Sequence, residues 1–288
     1  MIANHQNPVF LRPEIAPLRL QRSDGKWLEL DGKACAVMGI VNLTPDSFSD
    51  GGNLLDPRTA LRHVETLVAQ GAQLIDLGAE STRPLAQLLS AEEEWQRLFP
   101  VVSELPRLGL PAVLSIDTRH AEVAARLLDL GFRVLNLAFP QHLFSPELDS
   151  PGAARLSHLQ RQRLLAGFDA IVVMHSRGTP ANMRELTDYD GDLCDTVCAE
   201  LSLAARMLTD DSPSLLQRII YDPGIGFAKT AEQSLTLLRS TERLKAQLER
   251  PLLVGCSRKS LWGTLTGQPV DSRLIPSLIG AVVAAQAG

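Results

Sequence analysis

From residue 34 onward, apolar runs of strand length recur along the chain, at 34 to 41, 73 to 78, 112 to 117, 132 to 138, 169 to 175, 218 to 222 and 252 to 256. Between them, apolar positions fall at helical spacing in residues 58 to 70, 91 to 105, 121 to 130, 195 to 208 and 231 to 248, with a last helix over 277 to 287. Continuous apolar strands alternating with amphipathic helices predict a parallel sheet covered by helices, in either a barrel or an open doubly wound arrangement. Polar residues cluster where the apolar runs end: Asn42, Asp76, Asp117, Asn136, His175, Asp222 and Ser257-Arg258-Lys259. In a closed barrel all strand ends converge on one rim, whereas in an open sheet only those at the switch point meet. The α/β fold expected is therefore a TIM-type (β/α)8 barrel.

Residues 1–33 are polar and contain proline, and residues 27 to 33 read as a strand and turn, so this part is expected to cover the body as an N-terminal hairpin segment. Residues 34–288 are expected to form one barrel domain, with no low-complexity linker or internal repeat beyond the strand–helix period. Only seven strand runs are visible, and the last helix stops at Gly288, a helix-terminating residue. The eighth strand is thus expected to be absent from this chain, leaving an open sheet edge.

Composition narrows the partners. With 33 Asp+Glu against 28 Lys+Arg, the chain lacks the basic footprint that nucleic acid requires. Cys35, Cys194, Cys198 and Cys256 are too scattered for a disulfide framework, with no complementary pair for a metal, and fit a reducing, cytoplasmic setting. No signal core and no charge-free apolar stretch of about 18 residues is present, so no membrane partner is expected.

Three groups of residues carry candidate chemistry. Residues 38 to 52 run from a buried strand into a loop of hydroxyls, carboxylates, Phe48 and paired glycines, which is either a turn-rich connector or a loop able to close over an anion or metal. Residues 75 to 84 bring Asp76, Glu80, Ser81, Thr82 and Arg83 to another strand end. This mixture suits a phosphate, or else Asp76 accepts backbone hydrogen bonds and Arg83 pairs with Glu80. The third group is Asp117, Asn136 and Asp222 at strand ends, with Lys259 beyond the seventh run. A carboxylate accepts two parallel N–H bonds from an amino-pyrimidinone edge and an amide supplies both donor and acceptor, so the set reads a pterin or purine, unless it is a structural ion-pair network in the barrel mouth. His175 belongs to no metal-binding spacing, residues 222 to 227 do not form a Walker loop, and no nucleophile elbow is present.

Taken in order, the loop from Asn42 to Gly52, the loop from Asp76 to Pro84, Ser115-Ile116-Asp117-Thr118, Asn136, residues 174 to 183, residues 222 to 230 and Ser257 to Ser260 resemble the dihydropteroate synthase family over residues 36 to 265. The resemblance implies condensation of 6-hydroxymethyl-7,8-dihydropterin pyrophosphate with p-aminobenzoate to give 7,8-dihydropteroate and pyrophosphate, in an enzyme that sulfonamides target. It implies that Asp117, Asn136, Asp222 and Lys259 bind the pterin, with Lys259, Asp222 and Asn42 as the catalytic set. It further implies Mg2+ held by Asn42, and a p-aminobenzoate site formed by Phe48, Thr82, Pro84, Phe227 and Ser260. A homodimer is the assembly such a family suggests.

The chain departs from the family pattern at several points. Leu137 follows Asn136 where Asp is usual, Leu85 follows Pro84 and Ala228 precedes Lys229 where Gly is usual, and residues 140 to 168 are longer and more polar than expected. The Arg-x-His pair of the family's eighth strand is not found. These departures keep open a second reading, a truncated or divergent, non-catalytic pterin-binding paralogue. A corrinoid-linked methyltransferase on the same barrel lacks support, because the first loop and Ser257-Arg258-Lys259-Ser260 are those of the synthase.

Overall fold

The computed structural model describes residues 17–44, 56–80, 88–140 and 156–287. Six parallel strands pair in strict sequence order: β3 (Met38–Asn42), β4 (Leu74–Gly78), β5 (Val113–Asp117), β6 (Val134–Leu137), β7 (Ala170–Met174) and β8 (Ile219–Asp222). The seventh apolar run pairs for a single residue, Leu252 beside Tyr221, in a stretch bracketed by Pro251 and Gly255. Among the described residues no strand follows it.

The strand pleat sends alternate residues to opposite faces. Leu74, Val113, Val134, Ala170 and Ile220 form an inner cluster, whereas Ile75, Leu114, Leu135, Ile171 and Ile219 join the larger core beneath the helices. Both faces are therefore apolar, which is why the strands read as unbroken hydrophobic runs.

Ahead of the sheet, β1 (Leu18–Gln21) and β2 (Trp27–Leu30) form an antiparallel hairpin whose Leu18 and Leu20 complete the inner cluster. Gln21 N–H donates to Asp169 Oδ2 at 2.7 Å and Ser23 N–H to the Ala112 carbonyl at 2.9 Å. Both acceptors precede strands, so the hairpin closes the N-terminal end of the barrel and leaves the C-terminal rim open. Its second strand is legible in the sequence; the first, with only two apolar residues, is not.

Capping residues start the helices where expected. Asp56 caps α1 (Pro57–Ala69), and a Ser90–Glu93 capping box opens α2 (Ala91–Val102), followed by α3 (Ala121–Asp129). A helix the periodicity misses, α4 (His158–Gly167), is rich in Arg and Gln with only Leu165 buried, so its apolar face is too thin to register; a Ser157–Gln160 box sets its start. Beyond α5 (Leu193–Thr209) and the short α6 (Pro213–Leu216), the helix predicted over 231 to 248 breaks at Ser240 into α7 (Ala231–Arg239) and α8 (Thr241–Leu248). The chain ends with α9 (Ser260–Thr266) and α10 (Leu274–Gln286). Cys194, Cys198 and Cys256 are buried as small apolar groups. Among the described residues no helix is long and apolar enough to cross a membrane.

One polar tie joins the helical layer to the rim. Glu94 of α2 is fully buried and accepts from Thr118 Oγ1 at 2.7 Å, while its Oε1 has no partner. Burial pushes its carboxyl up to about 7. A folded-state pKa raised above the usual carboxylate range adds stability at acid pH that is lost as pH rises through about 7. Glu94→Gln removes the charge and is expected to gain stability relative to the unaltered chain between pH 5 and 8, by on the order of 2 kcal/mol at the alkaline end. Parallel melting-temperature series across this range check it; a constant gap between the two proteins contradicts it.

Candidate active site

The inner face of the rim is built from consecutive strand ends. Asp117 of β5 lies in register with Gly78 of β4 on one side and Asn136 of β6 on the other. One pleat below, Asp76 of β4 is opposite Ser115 of β5. Its carboxylate accepts from Ser115 Oγ at 2.5 Å and from Asn136 Nδ2 at 2.9 Å. The structure thus gives Asp76 side-chain partners rather than the backbone donors weighed from sequence. Burial raises the Asp76 carboxyl to about 6, against the opposing effect of those two hydrogen bonds. Asp117 is pushed well above the usual carboxylate range, first by burial and then by the charges of Asp76, Glu94 and Glu80.

On the opposite arc, Asp222 ends β8 in a tight turn. Gly224 N–H donates to Asp222 Oδ1 at 2.7 Å, and the Asp222 carbonyl accepts from His175 N–H at 2.8 Å. Gly224 has φ +66°, and a Cβ there would lie 1.9 Å from the His175 carbonyl oxygen, so only glycine fits. Lys259 Nζ donates to the Ile225 carbonyl at 2.5 Å and sits 4.8 Å from the centroid of Phe227. Burial raises Asp222, while the Lys259 ammonium, the Gly224 N–H and Lys229 hold it down. The Lys259 pKa is lowered by burial and supported by Asp222. Phe227 meets Phe139 edge-on, with centroids 6.2 Å apart.

The Lys259 loop is braced from behind. Trp262 Nε1 of α9 donates to the Cys256 carbonyl at 2.6 Å, and Arg258 N–H donates to Ser277 Oγ of α10 at 2.8 Å. Gly280 of α10 packs so closely on Trp262 that a Cβ would lie 2.5 Å from the ring. Ser260, the first residue of α9, is exposed.

A buried chain of polar groups beside Asp222 went unrecognised in the sequence. Lys229 Nζ lies 2.8 Å from His175 Nδ1 and donates to the Phe227 carbonyl at 3.0 Å; His175 Nε2 lies 2.9 Å from Glu200, which Arg177 also pairs. Arg177 stacks 3.8 Å from the Tyr189 centroid, and Tyr189 Oη donates to the Ala228 carbonyl. Burial lowers His175 to about 4 and Lys229 to about 7, while the bond to His175 leads the effects that lower Glu200 to about 2. The imidazole is therefore neutral, donating from Nε2 to Glu200 and accepting at Nδ1. Spacing alone gave no sign of the network, because its members come from the segment after β7, from α5 and from the loop after β8. Ala228, where Gly was the expected residue, carries φ +47°.

Glu80 takes a bidentate ion pair from Arg119, at 2.6 and 3.1 Å, and accepts from Leu89 N–H at 2.6 Å. Arg119 is thus a described partner of Glu80; the pairing with Arg83 weighed from sequence involves a residue outside the described ones. Asn42 ends β3 beside Gly78, exposed at the rim. Phe48, Thr82, Arg83 and Pro84 lie outside the described residues. Among the described residues no group of three or more His, Cys, Asp or Glu is arranged to hold a metal.

A sequential parallel barrel with acids, an amide and a lysine at its open rim is the setting of a pterin-binding enzyme, and the family model described as pterin binding enzyme matches residues 38–288. The chain is 42% identical over 241 residues to a dihydropteroate synthase of Synechocystis sp., covering 83% of this chain and 76% of that protein. Among solved structures, it superposes on a Yersinia pestis dihydropteroate synthase in complex with a sulfonamide drug with a TM-score of 0.77 and 34% identity, covering 90% and 88% of the two chains. It matches a Xanthomonas albilineans dihydropteroate synthase with 4-aminobenzoic acid at a TM-score of 0.76 and 33% identity, covering 95% and 90%. The chain belongs to the dihydropteroate synthase family. The expectation of a shortened chain is not confirmed by these matches.

Gly224→Ala tests the Asp222 turn. A methyl group in conflict with the His175 carbonyl and a left-handed backbone are expected to cost about 2–4 kcal/mol of stability. Chemical denaturation measures this directly, and a change below about 0.5 kcal/mol would show that the turn has room.

Proposed function

We propose that this chain condenses 6-hydroxymethyl-7,8-dihydropterin pyrophosphate with p-aminobenzoate, giving 7,8-dihydropteroate and pyrophosphate. The observation that carries the reading is the presence of Asp117, Asn136, Asp222 and Lys259 on one open rim, with Asp222 held as an acceptor between a backbone turn and an ammonium. Asp222 accepts two N–H bonds from the amino-pyrimidinone edge, Asp117 and Asn136 engage the ring from the facing arc, and Lys259 supplies cationic donors beside Asp222. Family membership and the 4-aminobenzoic acid found with the Xanthomonas relative support the same assignment.

In the reaction the exocyclic methylene carbon loses its bond to the pyrophosphate oxygen, forms one to the arylamine nitrogen, and the amine gives up a proton. The protein's share is to hold the two reactants in line and to exclude competing water. Phe227 and Ser260, with Phe48, Thr82 and Pro84, form the proposed p-aminobenzoate site, the Phe227 ring giving a flat apolar surface beside the Lys259 stem. Asn42, exposed at the rim, would hold Mg2+ through its amide oxygen, an oxygen ligand of the kind this hard cation takes. When bound, the ion neutralises charge on the departing pyrophosphate.

A coupled pyrophosphate-release assay with both substrates and Mg2+ tests the reading. Turnover should require all three, and chelation should stop it while binding of the pyrophosphate-free pterin, followed by calorimetry, is unchanged. Pterin binding without turnover under full conditions selects the non-catalytic paralogue instead. Asp222→Asn should weaken pterin affinity roughly 10- to 100-fold, the range for a lost charge-assisted pair, and Lys259→Ala should weaken it less. Unaltered calorimetric affinity in Asp222→Asn refutes its role.

A further inference from the structure

The pterin reading leaves Asp76 without a task, although the structure has built it into the rim. It is buried, it lies one pleat below Asp117, and both of its described side-chain partners are donors, Ser115 Oγ at 2.5 Å and Asn136 Nδ2 at 2.9 Å. An ionised carboxylate only accepts, and a carboxamide has one donor end and one acceptor end. With one Nδ2 hydrogen committed to Asp76, the Asn136 amide is fixed in one of its two orientations, with Oδ1 turned away from the carboxylate. No other described side chain bonds to Asn136. Rotating the amide by half a turn would set its oxygen against the Asp76 carboxylate, so the carboxylate excludes that orientation. Asn136 is only half-buried, so without Asp76 its amide would be free to turn.

We propose that Asp76 is a positioning residue for pterin recognition: it fixes which way round the Asn136 carboxamide lies, so that Oδ1 is set as an acceptor toward the heterocycle. This rests on the pterin reading above, and it adds a specificity element. The rim then shows three acceptors, Asp117, Asn136 and Asp222, against one ammonium, Lys259. It selects rings whose edge is rich in N–H, as an amino-pyrimidinone fused to a reduced ring is, over rings that offer bare nitrogens. Ser115 serves the same end by holding the second carboxylate oxygen, which keeps the carboxylate plane turned toward Asn136. The groups that bear on the Asp76 charge are Asp117 on β5, which repels it, and the Ser115 and Asn136 donors, which support it.

The test is a double-mutant cycle on affinity for 6-hydroxymethyl-7,8-dihydropterin, measured by calorimetry on the full chain. Asp76→Ala is expected to weaken binding about 10-fold or more, and Asp76→Asn, whose carbonyl can still accept from Asn136, no more than about three-fold. In an Asn136→Ala background the Asp76→Ala change should cost less than about two-fold, because the residue it acts through is gone. Equal losses in both backgrounds overturn the proposal, since they mean that Asp76 acts on its own or through the fold at large. So does full affinity in Asp76→Ala. If Asp76→Ala does not fold, Asp76→Ser, which leaves a hydroxyl opposite Ser115, takes its place in the cycle with the same expectations. Absence of pterin binding by the unaltered chain would sink the functional reading itself, an outcome distinct from an additive cycle.

Discussion

The structure depends on one electrostatic constraint, the need to keep carboxylates charged while they sit at the mouth of a barrel whose two strand faces are apolar. Asp76, Asp117 and Asp222 are all drawn above their usual range by loss of water, and two of them are brought back by something specific. Asp222 has a lysine and a backbone amide; Asp76 has a hydroxyl and a carboxamide. Asp117, with no comparable support among the described residues, is the acid left to be satisfied from outside the protein. A ligand that brings N–H groups to the rim supplies what the fold withholds.

The rim divides by charge. The arc from β4 to β6 carries acids as its charged groups at the inner face, with the Arg119 guanidinium turned to Glu80, whereas the arc from β7 onward gathers Lys229, Arg177 and Lys259 around a single acid pair, Asp222 and Glu200. The neutral imidazole of His175 lets the two halves of the second arc share hydrogen bonds without adding a charge. An electroneutral ring with a polar edge and an anionic tail would meet complementary potential at both ends of such a rim.

Much of this is legible in the sequence. Strand-length apolar runs and helical spacing located the six paired strands to within a few residues, because strands buried on both faces read as short continuous apolar runs, and their length separates them from the longer amphipathic helices. Asp117, Asn136 and Asp222 were legible because each is a polar residue at the end of an apolar run, and Lys259 because it follows the seventh run by three residues. The pairing of Asp76 with Asn136 was not, since it joins residues 60 positions apart through a register that the sequence does not display. The same holds for Lys229, His175 and Glu200, and for α4, where a single buried leucine gave too thin an apolar face to register. The seventh run was read as a full strand because apolar content says nothing about how long a ladder lasts.

The contact between Gly280 and Trp262 has a bearing on how this site can drift. The indole that leans on Gly280 also grips the Cys256 carbonyl, three residues before the lysine, so the ammonium is located by a helix that supplies none of the proposed pterin-binding residues. A bulkier residue at position 280 would push the indole and, through it, shift the cation, with every rim residue intact. Proteins of this kind can therefore be retuned from the back of the molecule, and a tally of rim residues would record no change.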